Sequence, residues 1–592
     1  AEAGVVQMTR TPDFLNSYQY ANLYNEARAN DGLTPYYNQK QLEGYKNSKG
    51  ANDLLYPNVD LYDQLLNKNA STQGYNFNVQ GGGKGFNYFV DLDFLRENGM
   101  FKTRSENQFN TNEQLNRFII RTNVGADVTP TTHLQVNLFG RSMRYNEPGG
   151  GTTTVLSNLL NTANNAYPML NPDGSLGGNE LYQKNLWGLL NYSGHKFTDV
   201  RDIAADVTLT QKLDILLDGL YIRALGSYNN TTNYITSRPM EFAVYQYTAF
   251  DNSYYKWGKD SNQTTEGKAS NRFRTTYFKG ELGYQHTFGK HHVSGLFLAD
   301  RLEFLKFQDS QLPMSQMTFA LNANYNYDNR YLIEMAGSRS SNNWYAPGKR
   351  WGNYWAVGAS WNVHNEKFME YLNFISMLKP RVSYGLTGKS NPSYAGYIQT
   401  YTLENDNRSD WYPFYGETGK GTFENSLSNT LLVPEKAKKL NVGLDLGFFN
   451  NRLTISADYY YNRYFDLKMT PTYTSALLGV DSPAINGKKV NYFGAELIAS
   501  WHDRIGDFNY YITGNFNLTQ SEVAYTQDLY SDYEWQLETG KPVSARRGYI
   551  ADGLFRSQKE IDDCKAVLAT VPKSELRPGD IRYKDLNSDG VI

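Results

Sequence analysis

The chain has 592 residues, a formal net charge of -2 from 58 basic and 60 acidic side chains, and 48 Tyr and 30 Phe against a single Cys. Near-neutral charge leaves no electrostatic footprint for a nucleic-acid partner, the lone Cys564 closes no internal disulfide, and no Cys/His spacing matches a zinc site. No run approaches the roughly 18 apolar residues of a membrane helix, and Ala1 to Arg10 lacks the charged and apolar regions of a signal peptide.

A mean hydropathy of -0.62 beside so many strand-forming aromatics suits strands that are apolar on one face only. Phe118, Ile120, Val124, Ala126 and Val128 fall on one face of a predicted strand, with Arg117, Arg121, Asn123 and Asp127 on the other. After Thr129-Pro130-Thr131-Thr132 the alternation resumes with Leu134, Val136 and Leu138 against His133, Gln135 and Asn137, which predicts a hairpin. Long polar connections are expected over Glu147 to Val200 and Gly226 to Arg272. Short turns follow at Gly289-Lys290 and Asp328-Asn329. His286, His291 and His292 flank the first of these turns and read as solvated, because adjacent strand residues point to opposite faces.

A third long connection is expected over Gly388 to Lys438. Leu440, Val442, Leu444, Leu446 and Phe448 then alternate with Asn441, Gly443, Asp445 and Gly447 up to a turn at Asn450-Asn451, and Leu453, Ile455, Ala457, Tyr459 and Tyr461 lead back. The next hairpin sets Ala495, Leu497, Ala499 and Trp501 against Phe508, Tyr510, Ile512, Phe516 and Leu518. The last long connection runs over Ser521 to Ile581. Short and long turns thus alternate, as in membrane barrels with short periplasmic turns and long extracellular loops. A soluble sandwich or propeller has no need of that asymmetry, and no repeat of about 40 to 50 residues marks a propeller. The predicted fold class is all-β, a large antiparallel transmembrane β-barrel with roughly 16 traceable strands. Trp355, Trp361, Trp501 and Tyr459 to Tyr461 suit interfacial girdles.

Several blocks carry a family resemblance. Thr11-Pro12-Asp13-Phe14-Leu15-Asn16-Ser17-Tyr18, Tyr24-Asn25-Glu26-Ala27 and Tyr56-Pro57-Asn58-Val59-Asp60 open the series. Asn78-Val79-Gln80-Gly81-Gly82, Tyr325-Asn326-Tyr327-Asp328-Asn329-Arg330-Tyr331-Leu332 and Leu378-Lys379-Pro380-Arg381-Val382 continue it. Pro434-Glu435-Lys436-Ala437, Gly548-Tyr549-Ile550-Ala551-Asp552-Gly553 and Pro578-Gly579-Asp580-Ile581 complete it. In this order the chain resembles the SusC/RagA family of TonB-linked outer-membrane proteins. It departs from the family at Ser338-Arg339-Ser340-Ser341-Asn342-Asn343-Trp344-Tyr345, where members often read Arg-Arg-Asp-Gly-Ser-Ser-Arg-Phe.

The resemblance implies a barrel of about 22 strands in the outer membrane of a gram-negative cell, occluded by an N-terminal plug. It also implies opening by TonB, a SusD-like lipoprotein as outer lid, and import of a glycan or peptide ligand. Residues 1–592 are then an incomplete barrel surrounded by membrane lipid, with plug and closing strands expected outside this sequence. A passive porin and a secreted carbohydrate-binding or adhesive β-protein are the alternatives.

Trp344, Trp351, Trp411 and Tyr412 fall in expected outer loops, where rings can stack on sugar faces or peptide side chains, or simply pack the loop. Within residues 576–592, Asp585, Asn587 and Asp589, with Gly590 at the sixth position, match the opening of a Ca2+ loop and equally an Asx-rich turn without metal. No nucleophile elbow, P-loop or zincin helix is present, so no catalytic residue and no other cofactor is expected.

Overall fold

The structure is a computed structural model that describes residues 1–592 except 52, 105, 106, 108, 307–311, 394, 395, 404–410, 415, 416, 421, 472–478, 532 and 569. It comprises two compact units, residues 1–323 with 338–343 and residues 324–337 with 344–592.

In the first unit, β1 (Glu2–Gln7), β2 (Asn69–Gly83), β3 (Phe86–Asn98), β4 (Gln114–Thr129), β5 (Thr132–Pro148), β6 (Gly194–Lys212) and β7 (Leu220–Pro239) pair antiparallel in chain order. A small hairpin of β8 (Val244–Thr248) and β9 (Ser253–Trp257) intervenes, and β10 (Glu266–Phe288) then joins β7 to β11 (His291–Lys306). β12 (Met314–Tyr327) and β13 (Tyr331–Asn342) divide between the units.

The second unit begins with β14 (Trp351–Trp361) and β15 (Ile375–Lys389). The connection that follows carries β16 (Tyr401–Leu403), β17 (Trp411–Phe414), β18 (Glu417–Lys420) and β19 (Thr422–Glu424), paired β16 with β19 and β17 with β18. The ladder resumes from β15 to β20 (Glu435–Phe448), β21 (Leu453–Met469), β22 (Ile485–Ile505) and β23 (Phe508–Tyr525). β24 (Ala551–Leu554) and β25 (Ile581–Tyr583) form a last small pair. Among the described residues, seventeen strands take part in the large antiparallel ladders, against roughly 16 traceable by alternation alone.

Turn chemistry follows the sequence. Asp328 and Asn329 both sit at φ 52, and Phe449, Asn450 and Asn451 at 55, 57 and 62. This left-handed region suits a two-strand reversal, and Asn tolerates it better than most residues. Within each unit the tightest turns, at 84–85, 130–131 and 289–290 in the first and at 328–330, 449–452 and 506–507 in the second, fall at one end of their strands.

Register then fixes which side chains share a face. Pro380, Leu444, Ala457, Leu497 and Phe516 are aligned across five strands, as are Val382, Val442, Tyr459, Ala495 and Leu518. Large apolar side chains in these rows are exposed, with Val442 at 47%, Leu518 at 49% and Phe516 at 61%. Between them runs the polar row Arg381, Gly443, Asp458, Glu496 and Asn517. The first unit repeats the arrangement, with Tyr88, Val124, Val136 and Val207 in one row. An exposed greasy face this continuous is the inverse of a water-soluble sheet and calls for lipid as its solvent.

Rings gather near the short turns: Tyr331 with Trp361 at 6.2 Å, Phe374 with Phe448 and Phe449 with Trp501 at 6.4 Å, and Phe508 with Tyr510 at 6.2 Å. Eight residues up β21 lies a second row, Tyr384, Leu440, Tyr461 and Phe493. At about 3.3 Å per residue and a tilt of about 40°, the two rows stand about 20 Å apart along the membrane normal. That matches an apolar band of about 25 Å. Trp361 and Trp501 lie at the first row, and Trp355, in register with Leu386, lies just beyond the second, packed against Tyr384 at 5.7 Å.

One expected boundary is corrected. The connection expected over Gly226 to Arg272 is confined to residues 240–265, because its first fourteen residues belong to β7 and its last seven to β10, register-paired from Gly226↔Phe278 up to Glu266↔Ser237. Ser, Thr and Asn fill these stretches, so apolar alternation vanishes while the backbone ladder continues beyond the hydrocarbon band.

The long connections of the first unit also hold more order than their polarity suggests. α1 (Ser17–Asn30), α2 (Gln39–Lys46) and α3 (Leu61–Leu65) lie between β1 and β2, and α4 (Thr152–Asn161) and α5 (Leu186–Asn191) between β5 and β6. Val59, Leu61, Leu65, Phe101, Val155, Leu159, Leu186 and Leu190 form one buried apolar cluster, so these segments make a cap with its own core. Asn16 and Asn38 close capping boxes at the starts of α1 and α2. The side chain of Asn185, fully buried, accepts from Gly188 N at 3.0 Å and donates to the carbonyls of Met169 and Gly177 at 2.9 and 2.8 Å.

Candidate functional site

The charged side chains of each sheet gather on its polar face. On the first unit it buries three carboxylates, Asp91, Asp202 and Glu281, to 5%, 7% and 9% exposure. A buried charge is costly unless paired, and each has an arginine on a neighbouring strand: Arg121 at 3.4 Å, Arg141 at 2.5 Å and Arg223 at 3.2 Å. Lys279 adds a second cation to Glu281 at 2.6 Å. Registers Asp91↔Arg121, Arg141↔Asp202 and Glu281↔Arg223 put every pair directly across a ladder.

On the second unit one arginine serves two carboxylates. Arg381 on β15 donates from Nε to Asp445 Oδ2 at 3.1 Å on β20. It reaches over that strand to Asp458 on β21, with Nη1 to Oδ1 at 2.6 Å and Nη2 to Oδ2 at 2.7 Å. Gly443 makes the crossing possible, since a Cβ there would stand 2.4 Å from Arg381 Cζ. Ser456 Oγ donates to Asp445 Oδ1 at 2.7 Å and completes the group. Such bidentate, charge-assisted bonds hold three strands in one register and fix the charges on this face.

At the long-connection end of the first unit, Tyr24, Tyr36, Tyr37, Tyr45 and Tyr56 form a chain of edge-on ring contacts from 4.9 to 5.9 Å. Asn165 Nδ2 donates to Tyr37 Oη at 3.0 Å. Burial pushes the Tyr37 phenol up to about 12 and raises that of Tyr45 in the same direction.

This pattern, strands greasy outward and charged inward, with short turns at one end and a structured cap at the other, is matched by sequence comparison. The profile described as TonB dependent receptor-like, beta-barrel covers residues 150–586. The chain belongs to that family. Relatives of this receptor barrel include TonB-dependent receptor SusC of Bacteroides thetaiotaomicron, 25% identical over 91% of the chain and 55% of SusC. TonB-dependent receptor P3 of Formosa agariphila is 23% identical over 93% of the chain and 56% of P3. The chain therefore spans about half the length of these relatives. Among solved structures, the RagAB peptide importer in its closed-closed state superposes with a TM-score of 0.68, at 16% identity over 98% of this chain and 67% of the other. The structure of the RagAB peptide transporter gives 0.65, at 17% identity over 88% and 60%. The all-β barrel fold and the SusC/RagA resemblance read from the sequence are borne out.

The residues singled out in the receptor's sequence do not gather at one place. Trp344 is half-buried in the connection after β13, next to the fully buried Tyr345, whose carbonyl accepts from Arg350 Nε at 3.0 Å. Trp351 opens β14 on the same face as Trp355, Val357 and Trp361, the exposed apolar one. Trp411 and Tyr412 fall in β17, and their side chains lie outside the described residues.

Asp585 accepts from Ser588 N at 2.7 Å and Gly590 N at 2.9 Å, and Asp589 from Val591 N at 2.8 Å and Asn587 Nδ2 at 2.7 Å. These bonds shape residues 585–591 into an Asx-rich turn. Two distant family blocks do meet: Ser17 Oγ donates to Pro57 O at 2.8 Å, and Ser17 N donates to Asn58 Oδ1 at 3.0 Å. Sequence reading missed the Arg381 group. Its one local signal was the turn at Asn450-Asn451, which alone sets Gly443 opposite Asp458.

Proposed function

We propose that this chain forms most of the wall of an outer-membrane, TonB-dependent importer of glycans or oligopeptides in a gram-negative cell, rather than an enzyme. In this reading the barrel works with a SusD-like surface lipoprotein as lid and with TonB acting on a plug. The observation that carries it is the reversed polarity of the sheets: apolar rows exposed, and Asp91, Asp202 and Glu281 buried with arginine partners. Residues that face lipid and residues that line a water-filled path are thereby separated strand by strand. SusC and the RagAB importer, similar to this chain over most of its length, support the active mode over passive diffusion. Selectivity then resides in the long connections, which the ladder leaves free to vary.

The test is uptake by cells expressing the full-length receptor, with and without an uncoupler of the proton gradient. Uptake that stops on uncoupling, and that is lost on deleting residues 390–434 while the protein keeps its heat-modifiable gel migration, is the expected result. Uptake indifferent to the uncoupler would refute energised transport. Ligand binding unchanged by the deletion would refute the loop assignment.

A further inference from the structure

The connection that leaves β23 does not run out into solvent. Val523 N donates to Lys541 O and Gly540 N to Val523 O, both at 2.8 Å, and Val543 N donates to Ser521 Oγ at 3.1 Å, so residues 537–543 fold back on the strand they came from. The Asp528 carboxylate pins the fold by accepting from the backbone N–H of Glu538 and Thr539 at 2.7 and 3.0 Å. The result is a cleft of about 490 Å3, within the range of about 300–1,000 Å3 typical of small-ligand sites.

Its lining is strongly cationic. Lys488, Lys541, Arg546 and Arg547 border it, against one carboxylate, Glu538, which Lys488 already engages at 3.3 Å. Among the described residues, the side chains of Lys541 and Arg546 enter no ion pair. Trp535 supplies a wall: one face of its indole is covered by Tyr533 at 4.7 Å and 15°, and the residue remains 47% exposed. Lys488 and Val523 share the strand face of Glu496 and Asn517, so the cleft opens on the polar side of the sheet at its long-connection end.

We propose that this cleft binds an anionic saccharide, a sugar bearing carboxylate or sulfate groups. This deepens the transport reading and rests on it. Arginines beside a lysine match the oxygens of such groups. A pre-stacked indole offers a rigid plane to the apolar face of a pyranose ring, at little cost in side-chain freedom. An acidic peptide would use the cations but has no ring face for Trp535, which favours the sugar.

The experiment is titration calorimetry on the full-length receptor in detergent. The probes are a pentamer of galacturonic acid, its fully methyl-esterified form, a sulfated heparin hexasaccharide and a pentamer of glutamate. Expected is binding of the charged sugars that weakens with salt and drops at least about tenfold for the methyl ester. A similar loss is expected in R546Q/R547Q and in W535A, both retaining heat-modifiable migration. Failure of both charged sugars to bind, equal binding of the methyl ester, indifference to R546Q/R547Q, or glutamate pentamer binding as tightly as the sugars overturns the proposal. A receptor that still imports a neutral oligosaccharide or a peptide after such a result keeps the transport reading and loses only this site.

Discussion

Alanine at position 443 is the sharpest probe of the polar wall. The added Cβ would lie 2.4 Å from Arg381 Cζ, 2.5 Å from Nη1 and 2.8 Å from Asp458 Oδ1, so the guanidinium must leave its crossing and both bonds to Asp458 are lost. Hydrogen bonds to charged groups contribute about 1.5–3 kcal/mol each when buried. Here the two side chains are 30% and 16% exposed, and screening by water brings the pair to about 2 kcal/mol in total. The backbone term works the other way, since alanine suits a strand better than glycine by about 0.5–1 kcal/mol. G443A should thus destabilise by about 1–1.5 kcal/mol, read as a lower urea midpoint for tryptophan fluorescence in lipid vesicles. In an R381M background the Cβ no longer meets the guanidinium, and the same change should be neutral or slightly stabilising. A double-mutant cycle with no coupling between the two positions would show that the strand crossing is not held as described.

The outward rows predict a face-dependent cost. L497R should destabilise the vesicle-embedded protein by about 2–4 kcal/mol, whereas N517R on the polar row should cost about 1 kcal/mol or less in the same assay. L186A, which empties a fully buried position in the cap, should cost that lobe about 2–5 kcal/mol. Limited proteolysis should then cut within residues 149–193 while gel migration stays that of a folded barrel. The Tyr37 phenol, raised from 10.0 to about 12 by burial, binds its proton more tightly in the fold than in the unfolded chain. Its contribution to stability is therefore complete below pH 10 and is lost as pH rises toward 12. Absorbance at tyrosinate wavelengths should show a late-titrating class that Y37F removes.

How much of this was legible in the sequence depended on whether a residue's neighbours were local. The hairpin from Leu440 to Tyr461 was readable face by face, because a period of two and an Asn-Asn turn determine both register and orientation. The extensions of β7 and β10 were not, since Asn229, Asn230, Thr231 and Thr232 give no alternation once both faces meet water. The cap was hidden for a different reason. Leu186, Leu189 and Leu190 have helical spacing, but within a mostly polar connection, and their partners Val59 and Leu65 lie over a hundred residues away. Arg381, Asp445 and Asp458 look ordinary singly. Only a residue without a side chain at 443 lets them meet, and an absence of atoms is a faint signal.

The polar extension of β7 and β10 has one further consequence. Segments rich in Ser, Thr and Asn on a cell surface are ordinarily where proteases bite and amide hydrogens swap with solvent within moments. From Gly226 to Ser237 every residue is in register with β10 or β6, or both, so its backbone is engaged as firmly as in the membrane-embedded turns of the ladder below. A surface-shaved cell should keep this rampart standing after the hairpin at 244–257 has been clipped away, and deuterium should enter it as slowly as it enters the sheet within the bilayer.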